Sequence, residues 1–278
     1  MAYVGISGYN YPNWRGVFYP AKLPARAWLA HASGIFNSIE LNGTFYSLKS
    51  PAVFRRWAEE TPDPFVFAVK GSRFITHNLK LGRAETALAN FYASGVLALG
   101  SKTGPFLWQL PPLLRFDAER TRRFLELLPR DSGQAEALAR LHDRAPPGGV
   151  LVDAPATVRF RHAFEVRHPS WVTEELYALL REHAAALVVA DTADRFPNVE
   201  VDTTDFMYVR LHGSKQLYVS GYDDVELDGW AKRVRTWLAT GRDVHVYFDN
   251  DARVHAPFDA QRLMERIRRG QEGKDRRG

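Results

Sequence analysis

The sequence predicts an α/β fold, a TIM-type (β/α)8 barrel with one closed parallel sheet. Eight short apolar segments alternate with about seven segments of helical spacing, and such alternation produces parallel strands with helices outside them. Eight units within 278 residues suit a closed barrel better than an open doubly wound sheet. No glycine-rich dinucleotide fingerprint follows the first strand and no GxxxxGK loop occurs, so the sequence indicates no dinucleotide cofactor.

Each predicted strand is an apolar run that ends in polar residues. The clearest case is HAFEVRHPSW at 162–171, where Pro169 stops the strand and Glu165 and Arg167 share one face. A carboxylate and a guanidinium on one buried face need each other or a ligand, because an unpaired buried charge is costly. The strands are predicted at residues 3–8, 36–42, 65–70, 106–110, 163–167, 186–191, 206–213 and 244–250.

Capping residues and glycines mark the ends of the predicted helices. Ser50 and Pro51 suit the start of one helix, and Gly34, Gly95 and Gly241 each follow the end of another. No helix is predicted after strand six, so helix 6 of the barrel is reduced to a loop. Seven helices are predicted between or after the strands, at about 25–33, 51–60, 84–95, 117–128, 173–183, 227–239 and 258–269, and a further short helix at 134–142 lies in the irregular region at 130–160.

The chain is predicted to form one domain, residues 1–270, with an insertion at 130–160 and a disordered basic tail at 271–278. The insertion cuts off no core-sized segment, so it is not a domain boundary. The net charge is +5, but Arg266–Gly278 holds six basic and two acidic residues, which leaves +1 for the rest. We therefore expect a solvated tail, with weak non-specific RNA contact as the alternative.

Composition excludes several classes of protein. The chain has no cysteine, so disulfides, thiolate catalysis and iron–sulfur clusters are excluded. It is 45% hydrophobic and 25% charged, which is typical of a folded globular domain. There is no apolar run of about 18 residues and no signal peptide pattern, so no membrane association and a cytoplasmic location are expected.

The ionisable groups concentrate at the strand ends, which is where TIM barrels build their sites. The leading hypothesis is an enzyme that acts on a small anionic molecule, phosphorylated or carboxylated, by acid–base chemistry. The predicted catalytic residues are Glu165, His212, Lys70 and Asp191. The predicted substrate-binding residues are Glu40, Asn42, Arg73, His77, Gln109, Arg167, His168, Arg210 and Asn250.

Three other interpretations stay open. The barrel could bind single-stranded RNA or a nucleotide without catalysis, using the aromatic residues of the loop at 9–20; these residues could equally plug the barrel rim. A divalent-metal-dependent hydrolase or isomerase could use Glu40, Glu165, Asp191 and His212, although no HxH or HExxH spacing occurs. Finally, arginines near Lys70 could lower its pKa and allow a Schiff base.

Several motifs together resemble the YecE-like family, whose domain is of unknown function. They are GISGYNYPNWRGVFYP, ELNGTFYS, FVFAVKGSRFITH, FLWQLPP, FEVRHPSW, YVRLHG and VYFDN, in this order, from about residue 3 to 267. The resemblance implies a TIM barrel and no established activity, and it covers the candidate residues from Glu40 to Asn250. Asp249 departs from the asparagine pair that is more usual there.

Overall fold

The structure, a computed structural model, describes the backbone of residues 1–275 and side chains through Gly270. Eight parallel strands form a closed barrel in chain order, with β8 paired to β1. This confirms the predicted fold and the place of every predicted strand. The strands are β1 Ala2–Ser7, β2 Ser38–Leu41, β3 Val66–Lys70, β4 Thr103–Gln109, β5 His162–Glu165, β6 Ala186–Asp191, β7 Phe206–Leu211 and β8 Asp243–Phe248.

Helices follow most strands. They are α1 Trp28–Ser33, α2 Gly43–Tyr46, α3 Pro51–Glu59, α4 Glu85–Ala93, α5 Ala118–Leu127, α6 Ser132–Ala139, α7 Glu174–Glu182, α8 Asp224–Ala239 and α9 His255–Asp275. The described chain has no helix between β6 and β7, as predicted. No helix in residues 1–275 is long and apolar enough to cross a membrane.

Caps explain where the predicted helix boundaries hold and where they fail. Asp117 and Thr173 accept N-terminal amide hydrogen bonds and begin α5 and α7 close to the predicted positions. By contrast, α8 begins three residues before the predicted start, because Asp223 and Glu226 form a capping box. Ser50 occupies the cap of α3, but its side chain makes no capping hydrogen bond.

The insertion predicted at 130–160 and the tail predicted at 271–278 differ in how much of each the structure describes. In the insertion, α6 begins after Asp131, and Phe160 packs on Phe106 with 4.9 Å between ring centroids. The insertion therefore adds to the packing outside the barrel. At the other end, α9 continues through residues predicted as tail as far as Asp275, and residues 276–278 lie outside the described chain.

Alternate residues of each strand point into the barrel, and these side chains form layers along its axis. Phe206, Tyr208 and Arg210 alternate with outward-facing residues along β7, so all three point into the barrel. An apolar inner cluster that includes Ala68, Ala163 and Tyr208 fills the lower and middle part. Ionisable side chains lie above it at the carboxyl ends of the strands, and this upper layer forms the site.

Candidate functional site

One arginine, Arg210 of β7, lies at the centre of a buried group of carboxylates. Its Nη2 is 2.8 Å from Glu40 Oε1 and 3.0 Å from Asp249 Oδ2, and its Nη1 is 2.6 Å from Glu165 Oε2. Burial lowers the pKa of Arg210, but the three carboxylates outweigh burial and raise this pKa well above its ordinary value. Arg210 thus links the ends of four strands as a permanent cation.

Every N–H group of Arg210 has a partner. Nε donates to Glu40 at 3.1 Å, Nη1 also faces His212 Nε2 at 3.3 Å, and Nη2 donates to Ser7 Oγ at 3.0 Å. Arg210 is 0% exposed. The predicted role of Arg210 in binding the substrate anion is therefore corrected: the side chain has neither a free donor nor an accessible surface.

Glu40 is also buried in this network, and not placed to orient a substrate as predicted. Its Oε2 accepts a hydrogen bond from the Tyr208 hydroxyl at 2.6 Å, and its Oε1 accepts one from Ser7. Both oxygens also accept from Arg210. Glu40 is 0% exposed, so it supports the floor of the site from beneath.

The predicted acid–base pair, Glu165 and His212, lies in the same buried layer. Burial raises the pKa of Glu165, but Arg167 and Arg210 lower it well below its ordinary value. Arg167 Nε donates to Glu165 Oε1 at 2.9 Å. His212 Nε2 must accept from Arg210, which only donates, so Nδ1 carries the hydrogen and faces Asp249 at 3.0 Å. Neither side chain lines the cleft, which corrects the predicted pair.

A cleft of about 770 Å³ opens above this layer at the carboxyl ends of the strands. Six of the predicted residues line it: Asn42, Lys70, Arg73, His77, Gln109 and Arg167. Residues that were not predicted as site residues also line it: Tyr9, Tyr11, Tyr46, Lys49, Trp57, Tyr218, Asp249 and Asp251 among them. The cleft therefore joins cationic, acidic and aromatic side chains around one opening.

Cations dominate the side of the cleft formed by β3 and β5. Lys70 ends β3, Arg73 and His77 follow it, and Arg167 follows β5. Burial and the nearby charges of Arg73 and Arg167 lower the pKa of His77 to about 4, so its imidazole is neutral at pH 7. His77 Nδ1 lies 2.9 Å from Thr76 Oγ1. This side of the cleft offers two guanidinium groups, an amine and a neutral imidazole.

Lys70 differs from the other cations because its charge is nearly buried and unpaired. The side chain is 7% exposed, and Nζ lies 4.5 Å from the centre of the Phe45 ring. No carboxylate in the described chain comes within 4.0 Å of Nζ. Burial, and then the charge of Arg210, lower the pKa of Lys70 to about 8. Lys70 is therefore the cleft residue whose amine is most readily deprotonated near neutral pH.

Acidic and aromatic side chains form the part of the cleft that belongs to β8 and β1. Asp249 and Asp251 follow β8, and Tyr9 and Tyr11 follow β1. Burial and the negative charge of Asp249 raise the pKa of Asp251 to about 6. Burial also raises the pKa of Asp249, but Arg210 and His212 outweigh it and lower this pKa below its ordinary range. The pKa values of these two neighbouring carboxyl groups are thus shifted in opposite directions.

The aromatic residues of the loop at 9–20 fall into two groups: some pack at the barrel rim and others line the cleft. Trp14 and Tyr19 are 0% and 1% exposed, and Tyr19 stacks on Trp28 with 4.8 Å between ring centroids. These rings and Phe18 plug the rim. Tyr9 and Tyr11 line the cleft instead, and the Tyr11 hydroxyl donates to Ser7 O at 2.6 Å.

Three predicted site residues lie away from the cleft. His168 caps the short turn after β5 through Ser170, with 2.9 Å between His168 Nδ1 and Ser170 Oγ. Asn250 is 0% exposed and donates to Asp259 Oδ2 at 2.9 Å, which ties β8 to α9. Asp191 ends β6 and does not line the cleft. In the described structure, His168 and Asn250 thus make local structural contacts, and Asp191 lies outside the cleft.

The donors proposed for a divalent metal do not converge. Glu40 and Glu165 are engaged by Arg210, and Asp191 lies at the end of β6 outside this cluster. Among the side chains that the structure describes, through Gly270, no three of histidine, aspartate or glutamate are arranged to hold a metal ion. The donor set therefore gives no support to the metal-dependent interpretation.

Asp251 and Tyr218 are the main site residues that sequence reasoning missed. Tyr218 belongs to the loop after β7, and Arg167 Nη2 donates to its hydroxyl at 3.3 Å. Asp251 lies three residues beyond the last residue of β8, in the sequence DND. The run of three polar residues after a strand was the available signal for Asp251, whereas Tyr218 had none.

Comparison with known proteins places the chain in a family. A family model described as protein of unknown function DUF72 matches residues 3–277. The chain belongs to the DUF72 family. This confirms the resemblance to YecE-like proteins, and it agrees with the barrel described above.

Individual relatives support the same assignment to DUF72. The protein YecE (UPF0759) of Escherichia coli K12 is 30% identical over 111 residues, which are 40% of this chain and 38% of the length of YecE. YunF (UPF0759) of Bacillus subtilis 168 is 22% identical over 95% of this chain and 94% of its own length. A crystal structure of a DUF72 protein from Thermotoga maritima is 26% identical, with a TM-score of 0.75, over 96% of this chain and 99% of that one.

Proposed function

We propose that this DUF72 protein is an enzyme that acts on a small anionic substrate, phosphorylated or carboxylated, by acid–base chemistry in the cleft. The observation that carries the proposal is the cleft itself. It combines Lys70 and Arg73, which have no carboxylate partner within the described residues, with a carboxyl group whose pKa lies near neutrality. This combination is typical of catalytic sites, where pKa values are shifted toward the working pH.

Arg73 and Arg167 are the groups best placed to bind the anion. Arg73 is exposed at the cleft and has no ion pair within the described residues. Arg167 uses Nε and Nη2 on Glu165 and Tyr218, while its Nη1 makes no hydrogen bond in the described chain. Guanidinium N–H groups suit phosphate and carboxylate oxygens. The role first assigned to Arg210 thus passes to these two arginines.

Asp251 takes the acid–base role that sequence reasoning assigned to Glu165. A carboxyl group with a pKa of about 6 holds and releases a proton near pH 7, whereas a deeply depressed pKa makes Glu165 a weak base. Asp251 lines the cleft, but Glu165 does not. Lys70, whose pKa is about 8, is a second group in the same cleft that titrates near neutral pH.

The order of the strands supports this division of roles across the barrel mouth. In a closed barrel of eight strands, β4 lies opposite β8 and β5 lies opposite β1. The anion-binding side, β3 to β5, therefore faces the side that carries Asp251 and the tyrosines. A substrate held by its anionic end at Arg167 would present its other end to Asp251.

A thermal-shift screen with phosphorylated metabolites and carboxylates tests this proposal. A ligand at about 100 times its dissociation constant adds ~2.7 kcal/mol, which raises the midpoint by roughly 5–10 °C. Arg73→Gln should weaken the binding of any anion that stabilises the protein in this screen about 10- to 100-fold, since a charge-assisted hydrogen bond is lost. Lys232→Gln removes one exposed charge on α8 and is the matched control. Equal effects of both substitutions would refute the assignment.

One observation favours a second function, the binding of a nucleotide or single-stranded RNA without catalysis. Tyr46, which lines the cleft, is 75% exposed, and Phe74 beside Arg73 is 54% exposed. Exposed aromatic rings beside cations are suited to base stacking. This function predicts RNA affinity that falls steeply with salt and drops in Tyr46→Ala.

Truncation separates a contribution of the basic tail to RNA binding from that of the cleft. The cut belongs after Gly270, because Ile267 is a buried core residue and Arg266 pairs with Asp224 and Asp228. RNA affinity retained in the truncated protein but lost in Tyr46→Ala would favour the cleft. RNA affinity lost in the truncated protein but retained in Tyr46→Ala would place RNA binding in the tail and would favour the enzyme hypothesis for the cleft.

A further inference from the structure

We propose that Lys70 is a nucleophile that forms an imine with an aldehyde or ketone group of the substrate. The proposal rests on the function proposed above and narrows its substrate class to small anionic carbonyl compounds. It is carried by the position of Lys70 at the end of β3, by an amine that has no hydrogen-bond or ion-pair partner among the described residues, and by the cations around it.

A second buried lysine shows how unusual the surroundings of Lys70 are. This lysine, Lys102, is partly buried with 12% of its side chain exposed, and its Nζ donates to Ala58 O at 2.7 Å and to Thr61 O at 2.5 Å. It also lies 3.2 Å from Asp63 Oδ1. Lys70 is more buried, yet its Nζ makes no hydrogen bond within the described chain and contacts the face of the Phe45 ring. Lys102 is bound as a structural ammonium, whereas the Lys70 amine is left available.

The charges around Lys70 adjust its protonation for nucleophilic attack. Burial and Arg210 lower the pKa of Lys70 to about 8, while Asp249, Glu40 and Glu165 oppose this change. At pH 7 about one amine in ten is then unprotonated, compared with about one in 3,000 at the ordinary lysine pKa. The unprotonated, reactive fraction is therefore roughly 300 times larger than that of an exposed lysine.

The step that follows is a condensation that needs no redox partner. The electron pair of the neutral Nζ forms a C–N bond to the carbonyl carbon, while the C=O π pair moves to oxygen, which takes up a proton. Over the whole condensation Nζ releases two protons, that oxygen leaves as water, and the nitrogen lone pair forms the C=N bond, so that amine and carbonyl become imine and water. A protonated imine draws electrons from the adjacent carbon, and Asp251 in the same cleft is the group to accept a proton from it.

Reductive trapping on the unaltered protein tests the proposal. The protein is incubated at pH 7 with glyceraldehyde 3-phosphate or glyoxylate and with sodium cyanoborohydride, and modified lysines are located by peptide mass spectrometry. We expect Lys70 to be modified at least ~10 times faster than Lys49, which lines the same cleft but is only partly buried and donates to Ser47 Oγ at 2.7 Å. Mapping on the wild type does not depend on the folding of a variant.

The other outcomes separate the imine from the proposed function. Modification of Lys49 at the same rate as Lys70, or no modification of Lys70, would overturn the nucleophile. If inorganic phosphate still stabilised the protein in that case, the anion site would stand without the imine. Modification of Lys70 that phosphate does not slow, and that uncharged glyceraldehyde matches, would support the nucleophile but overturn the anionic substrate class.

Discussion

Replacing Lys70 by methionine is expected to stabilise the protein at neutral pH while it removes the reactive amine. The pKa of Lys70 falls from 10.5 to about 8 in the folded protein. Each pKa unit corresponds to 1.36 kcal/mol between the two protonation states, so the buried ammonium costs about 3 kcal/mol relative to water. Methionine has a similar length and no charge. The expected gain at pH 7 is therefore about 2–3 kcal/mol in the free energy of unfolding.

The stability difference should depend on pH in a defined window. Below pH 8, Lys70 is protonated in both the folded and the unfolded chain, and the full cost applies. Between pH 8 and 10.5 the folded protein loses this proton while the unfolded chain keeps it, so the wild type gains stability relative to Lys70→Met. Above pH 10.5 the amine is neutral in both states and the difference disappears.

Urea unfolding of both proteins at several pH values between 6 and 10.5 measures this difference. Other groups that titrate in the same range, such as the tyrosines, cancel when the two proteins are compared. Lys49→Met is the control, because Lys49 lines the same cleft but is less buried than Lys70, and its replacement should change the free energy of unfolding by no more than ~0.5 kcal/mol. A less stable Lys70→Met protein, with a difference that does not change with pH, would refute the reasoning.

Three further predictions concern the buried network, the acid–base group and the packing under the cleft. Arg210→Met leaves three carboxylates without their shared cation. Removing one partner of a buried ion pair typically costs about 3–5 kcal/mol, so the free energy of unfolding in urea should fall by about 3 kcal/mol or more. An unchanged midpoint would contradict this. For a bound sulfate, which does not titrate near pH 6, affinity should fall as the pH rises through about 6, because Asp251 then becomes negative; calorimetry should find no such change in Asp251→Asn. Gly71→Ala should destabilise by about 1–3 kcal/mol, because its Cβ would lie 2.4 Å from the Trp108 ring; full stability would show that the ring moves freely.

The barrel was predictable because its signals are local and repeat along the chain. Each strand shows as a short apolar run, and the alternation with helical segments implies parallel pairing. The same regularity placed the polar residues at one end of the sheet. Boundaries were less certain where a cap decides them, as at Asp223, since a capping box depends on side-chain geometry and not on hydrophobic periodicity.

The sequence by itself determined the fold and the end of the barrel at which polar side chains gather, because strand periodicity and chain order decide both. Only the tertiary structure decided how these side chains pair. Arg210 and Lys70 look alike as cations at strand ends, but one meets three carboxylates and the other meets none. Pairing depends on the position of each side chain along the barrel axis. It also depends on which side chains of the other strands lie at the same level. Those distances join residues far apart in the chain, and no local pattern records them.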